Sequence, residues 1–191
     1  MNFRALFLIL LLHSSFFCMA QQESRPGTLF KIEDDELIWQ CIYPAEANKD
    51  SLITQIEHLL KGKIYTRNVL RNELGFDGEI HNYEVDCKKY GRNFFNTPKM
   101  YWEGNWFGKF FVEVKDNKYR VTIYGLFYER TTASTANSRQ KESKKYNYAS
   151  HVTKDDGSIK RSERDNMLLM SQSLKDEFDL GSTWFPIGNK W

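Results

Sequence analysis

The sequence predicts an α+β fold, an antiparallel sheet with two helices packed on one of its faces. Three observations carry that prediction. Residues 109–128 (KFFVEVKDNKYRVTIYGLFY) read as two long strands joined by a tight turn. Two stretches, 48–62 and 162–180, repeat apolar residues at helical spacing. Shorter alternating runs, bounded by Pro, Gly and Asn, fill the chain between them.

Taken in order, residues 1–20 are expected to be a secretory signal peptide, with Arg4 as the positive start and 5–12 as the apolar run. Cys18-Met19-Ala20 then places small residues before a cleavage point at Gln21. A membrane span needs about 20 apolar residues, and His13-Ser14-Ser15 ends this run early. Lipid attachment at Cys18 is the alternative, but Phe17 stands where a small residue would precede it. The remainder, 21–191, is expected to be exported to the periplasm or cell envelope, without a transmembrane segment, as one domain.

Residues 37–43 (LIWQCIY) form a first strand closed by Pro44. A helix capped by Asn48 or Asp50 follows, with Leu52, Ile53, Ile56, Leu59 and Leu60 on one face. Gly62 fits the left-handed position past its end. The stretch 63–74 reads either as more helix or as a strand. Within 75–87, Tyr83, Val85 and Cys87 alternate with Asn82, Glu84 and Asp86, a strand with one polar face. Residues 90–104 are a loop rich in Gly, Asn and aromatics.

In the long hairpin Phe110, Val112 and Val114 face one way, and Phe111, Glu113 and Lys115 the other. On the return strand Val121, Ile123 and Phe127 alternate with Arg120, Thr122, Tyr124 and Leu126. Asp116-Asn117 makes the turn, since both residues tolerate left-handed backbone. Residues 131–161 are dense in polar side chains and are expected to be a mobile loop. The helix at 162–180 shows Met167, Met170, Leu174 and Phe178 on one face, with Gly181 as its stop. The aromatic tail 182–191, with Trp184, is expected to dock on the body.

The wording GKFFVEVKDNKYRVTIYGLFYE resembles a family of secreted Gram-negative proteins catalogued as a domain of unknown function with a TATA-binding-protein-like fold. Lys115-Asp116 ends one strand and Tyr119-Arg120 begins the next, as in that family, and IWQCIYP and FDGEIHNYEVDCKKYG fit upstream. The resemblance covers about residues 37–129 and, more loosely, the terminal helix. It implies a curved antiparallel sheet gripping helices. It carries no activity, cofactor or catalytic residue, and a shared fold does not transfer function.

Composition excludes some function classes. With 27 basic and 25 acidic residues the formal net charge is only +2, so no global field draws the chain to nucleic acid. His58, His81 and His151 stand outside any HExxH or paired-ligand spacing, and no metal or cofactor is expected. No G-x-S-x-G elbow or phosphate-cradling glycine loop occurs. The acidic run Glu33-Asp34-Asp35-Glu36 reads as a solvated turn, and the basic run 139–145 (RQKESKK) as a solvated connector. Cys41 and Cys87 are either a disulfide or two separate buried thiols.

What remains is a surface. Phe111, Arg120, Tyr124 and Tyr128 are expected on the non-core face of the hairpin. Trp102 and Trp106 belong to an aromatic loop, 101–107 (YWEGNWF). Aromatic and Arg side chains on a rigid sheet suit binding. The favoured expectation is a non-catalytic envelope binding module with an unknown ligand or protein partner. The competing expectation is that the terminal helix or Trp184 covers that face. Two other classes stay open: an assembly factor pairing through an edge strand, and a hydrolase joining His81 to Glu79 or Asp86.

Overall fold

The computed structural model describes residues 28–133 and 141–181. The expected signal peptide, the docking tail with Trp184, and residues 134–140 of the polar stretch lie outside the described residues. Seven strands form one antiparallel sheet: β1 (Phe30–Glu33), β2 (Glu36–Pro44), β3 (Thr66–Arg71), β4 (Gly75–Tyr83), β5 (Asn105–Lys115), β6 (Lys118–Ala133) and β7 (Lys141–Asn147). The order is β1-β2-β6-β5-β4-β3, with β7 also paired to β6. The helices are α1 (Lys49–Gly62), α2 (Lys99–Glu103), α3 (Tyr148–Val152) and α4 (Arg164–Phe178), the last preceded by a 3-10 turn at Arg161–Glu163. None of the described helices is long and apolar enough to cross a membrane.

The long hairpin pairs from Lys115↔Lys118 to Asn105↔Glu129. Asn117 takes the left-handed turn conformation at φ 61°. Because β5 holds one edge of β6 as far as Glu129, β2 and β7 share the other edge end to end. β2 pairs with the first half (Pro44↔Lys118 to Trp39↔Ile123) and β7 with the second (Phe127↔Asn147 onward). The acidic run is the tight turn between β1 and β2, with Asp34 at φ 50° and Asp35 at φ 62°.

Both long helices lie on one face. Asn48 caps α1, its side-chain oxygen accepting from Ser51 N at 2.9 Å, and Leu52, Ile53, Ile56, Leu59 and Leu60 are buried. Gly62 is not left-handed, contrary to expectation. Instead α1 runs into extended Lys63, and the Thr66 hydroxyl lies against the carbonyls of Leu60, in the last turn, and of Lys63, just past it, as their donor. On α4 the contacts are both apolar and polar. Met167, Leu169, Met170, Leu174 and Phe178 are buried. Trp39 Nε1 donates to Ser171 Oγ at 3.1 Å, Tyr43 OH to Lys175 O at 2.9 Å, and Tyr119 OH to Phe178 O at 2.7 Å. Tyr83 and Ser173 share a further hydroxyl contact.

Two open alternatives resolve and one expectation changes. The stretch 63–74 resolves as a strand, β3. The polar stretch 131–161 contains the end of β6, strand β7, α3 and a bridge Thr153↔Ile159, because β6 runs on to Ala133 and offers β7 a ladder. Among the described residues Cys41 and Cys87 are free, buried thiols, not bonded to each other. Cys41 lies on the sheet beside Tyr43 and α4, whereas Cys87 sits past β4 and donates to Tyr101 O at 3.3 Å.

Candidate functional site

The alternation of the hairpin breaks once, and the break builds the site. Phe107 pairs with Phe127, but Lys109 pairs with Tyr124, so Gly125 and Leu126 together oppose Gly108. Gly125 sits at φ +60°, the left-handed bulge position that glycine occupies without a Cβ penalty. Across β5 a second bulge falls in register with the first. Ile80 pairs with Gly108 and Tyr83 with Trp106, so His81 and Asn82 together oppose Phe107, with Asn82 at φ 52°. Bulges on both neighbours of β5 therefore meet at Phe107-Gly108. Each bulge shifts its strand by one residue and exchanges the faces of everything beyond it.

The exchange sorts the expected binding residues. Val121 and Ile123 are core, as expected, but beyond Gly125 it is Leu126 and Tyr128 that turn inward, while Phe127 turns out. Tyr128 is thus a core residue, only 9% exposed. Trp106 is fully buried, its ring 5.2 Å from Tyr148, 5.3 Å from Tyr128 and 5.5 Å from Tyr101. It shares the inward face of β5 with Phe110, and the expected aromatic loop is in fact α2 followed by the first residues of β5. Trp102 is half-buried at the edge of the core beside Phe94, their ring centroids 6.5 Å apart.

Phe111, Arg120 and Tyr124 do lie on the outer face, each half-buried. Arg120 is engaged: its Nε and a terminal nitrogen both donate to one oxygen of Glu113. With Ile42, Lys115, Lys118 and Tyr119 this pair lines a hollow of about 180 Å³ at the turn end of the hairpin. Tyr124 belongs to a larger open groove of about 490 Å³ over the two bulges.

That groove has an aromatic floor and charged sides. Phe107 and Phe127 stack with centroids 5.0 Å apart and planes 7° from parallel. His81 meets the Phe107 ring edge-on at 5.5 Å. Lys145 Nζ stands 5.1 Å above the Phe127 ring and 3.2 Å from Glu129 Oε1. Lys109 lies in one row with Glu79 and Tyr124 across three strands. Glu36 contributes an acid from β2, accepting a hydrogen bond from Gly125 N at 3.1 Å. Glu79 Oε2 is 3.0 Å from His81 Nε2 and accepts from Asn68 Nδ2 at 2.9 Å. These two hydrogen bonds, His81 first, hold the Glu79 carboxyl below the ordinary carboxylate range.

The groove can hold a flat or partly apolar group on the Phe107, Phe127 and Tyr124 rings, with cations and acids within reach for its polar substituents. Neither long helix covers it, because both pack on the opposite face. Among the described residues no three metal-ligating side chains converge. Sequence reasoning found Tyr124, included Phe107 as the last residue of the aromatic loop 101–107, and weighed His81 with Glu79, but it missed Lys109, Phe127, Lys145 and Glu36 as site residues. The signal that would have found them is an Asn and a Gly, Asn82 and Gly125, inside alternating strands.

Two solved structures are similar to this chain. One is a TBP-like protein from Parabacteroides distasonis, 15% identical, covering 80% of this chain and 97% of its own with a TM-score of 0.48. The other is a DUF4468 family protein from Bacteroides ovatus, 10% identical, covering 84% and 94%, with a TM-score of 0.47. No family model and no curated protein matches the chain.

Proposed function

We propose that the chain is a non-catalytic binding module whose ligand lies in the outer-face groove over the two bulges, and that it does this work in the cell envelope after export. The supporting observation is the groove itself. Among the described residues it is open, about 490 Å³ in volume, and floored by the stacked Phe107 and Phe127 beside Tyr124 and His81. Rings held by a sheet lose little entropy on binding, and the bulges set their spacing before any ligand arrives. A mixed rim of Lys109, Lys145, Glu36 and Glu79 suits a ligand with both donors and acceptors, such as a sugar or a short peptide.

The test is a nuclear magnetic resonance titration with a panel of disaccharides and tetrapeptides. Shifts gathered at Phe107, Lys109, Tyr124 and Phe127, and lost in Tyr124→Ala, are expected. Shifts confined to the helix face, or unchanged by Tyr124→Ala, would reject the groove as the site.

One contact favours a second reading. His81 and Glu79 touch at 3.0 Å, as a general base and its orienting acid must, and a hydrolase built on them is that reading; Asp86 instead accepts from Lys89 N. Ester or glycoside turnover that disappears in His81→Ala would support it, and turnover equal in both chains would discard it. Edge-strand pairing is disfavoured at β3. That strand carries Arg67 and Arg71 and a register break at Asn68, features that blunt an open edge.

A further inference from the structure

The segment between β4 and α2 carries a surface that the groove does not use. Phe95 is 97% exposed and Phe94 46% exposed, neighbours at the tip of the loop with ring centroids 6.1 Å apart. Their exposure is built in. Asn93 Oδ1 accepts from Phe95 N at 3.0 Å and from Asn96 N at 3.2 Å, while Asn96 Oδ1 accepts from Asn93 N at 2.9 Å. Below the tip, Cys87 O accepts from Arg92 N at 2.9 Å, and Tyr90 OH donates to Asp176 Oδ2 at 2.9 Å. The loop is thus tied at its base and braced at its tip. Single exposed apolar residues are ordinary, but two adjacent rings held outward on a braced tip point to an interaction site.

Charge identifies the partner. From Lys88 to Trp102 the chain has four cations (Lys88, Lys89, Arg92 and Lys99) and no acid, in a protein whose formal net charge is only +2. Lys89 is committed to Asp176 at 2.6 Å, and Arg92 donates to the Asp165 carbonyl at 3.2 Å. Lys99 Nζ stands 6.0 Å from the Phe94 ring centre, and Lys88 is exposed. Glu103 follows the basic stretch, and Glu84 and Asp86, which precede it, line one hollow with Lys88 and Trp102 at its base. A convex aromatic tip with a cationic collar matches a soft anionic surface, in which rings enter the acyl boundary while Lys and Arg stay among the headgroups. A protein partner would need a pocket shaped to a projecting pair of rings.

We infer that the loop around Phe94 and Phe95 is a docking element for an anionic lipid bilayer. It inserts the two rings while Lys88, Arg92 and Lys99 meet the lipid phosphates. Nothing in this inference depends on what the outer-face groove binds.

The test uses the full chain with vesicles of phosphatidylcholine, alone or mixed with phosphatidylglycerol. Binding that requires phosphatidylglycerol and weakens with added salt is expected, and Phe94→Ser with Phe95→Ser should weaken partition by roughly tenfold or more per ring. A local readout separates this loop from the apolar segment 5–12. The fluorescence added by Phe95→Trp should move to shorter wavelength on anionic vesicles and be quenched by nitroxide-labelled lipid. Emission that stays that of a solvated indole while the chain is vesicle-bound would overturn the inference. So would an absence of vesicle binding, or self-association of the chain abolished by Phe95→Ser, which would make the tip a protein interface.

Discussion

At the scale of single residues, Tyr124 and Trp106 separate the two faces of the sheet. Tyr124 is half-buried in the groove, so Tyr124→Ala should change unfolding free energy by no more than about 1 kcal/mol while removing ligand shifts. Trp106 is fully enclosed by Tyr101, Tyr128 and Tyr148. Trp106→Ala should cost about 3–5 kcal/mol, read from urea unfolding. Comparable costs for the two variants would contradict the assignment of faces. Among the described residues the Trp106 indole nitrogen is buried without a hydrogen-bond partner, which offsets part of the gain from its burial. Thiols give a second residue-scale prediction. Burial raises the pKa of both Cys41 and Cys87 above the ordinary thiol value. Neither should react with a thiol reagent until the chain is denatured, and reductant should leave its stability unchanged; a stability loss on reduction would show a disulfide.

At the scale of elements, hydroxyl groups fasten α4 to the sheet. Ser171 Oγ accepts both from Trp39 Nε1 and from Leu29 N, each at 3.1 Å. Ser171→Ala orphans two donors at once and should destabilise by about 1–3 kcal/mol in urea melts, more than the lost methylene-sized volume explains. The bulge in β6 is the other decisive element. Gly125 has open space where a Cβ would go, so Gly125→Ala meets no clash and its cost, about 1–2 kcal/mol, is that of left-handed backbone alone. The same bulge marks the limit of what the sequence reveals. Strict alternation correctly placed Phe110, Val112, Val121 and Ile123 in the core and Phe111, Arg120 and Tyr124 outside. It failed at Leu126, Phe127 and Tyr128, because period-two reading carries its phase forward until something resets it, and an inserted residue resets it silently. Helices α1 and α4 were legible because 3.6-residue periodicity over many residues averages out such local faults. Strand β1 (FKIE) alternates but is only four residues long, too short to stand out, and β7 (KESKKYN) is polar with no period to read, so pairing with β2 and β6 makes them strands.

At the scale of the whole molecule, the core is built from tyrosines to an unusual degree, and that gives it a characteristic response to base. Tyr43, Tyr65, Tyr83, Tyr101, Tyr119 and Tyr148 all have raised pKa values, burial being the largest cause in each. Tyr90, nearer the surface, is pushed up to about 12, first by burial and then by its hydrogen bond to Asp176. An unfolded tyrosine ionises near pH ~10, so above that pH the unfolded chain binds fewer protons than the folded one. The stabilisation is complete below about pH 10 and is lost as pH rises through the folded-state values. Urea melts should therefore weaken steeply above about pH 10, with tyrosinate absorbance rising together with loss of fold. Smooth titration of all tyrosines near pH ~10 in an intact protein would contradict this packing.

The same whole-molecule layout, with helices on one face and an open aromatic groove on the other, underlies the binding reading. Hydroxyl-radical footprinting of the full chain tests it most directly. Phe107, Tyr124 and Phe127 should be oxidised, while Trp106, Tyr128 and Tyr148 stay protected until the chain unfolds. Protection of Phe107, Tyr124 and Phe127 to the level of the core rings would show the groove covered, and would contradict a binding module that works through it.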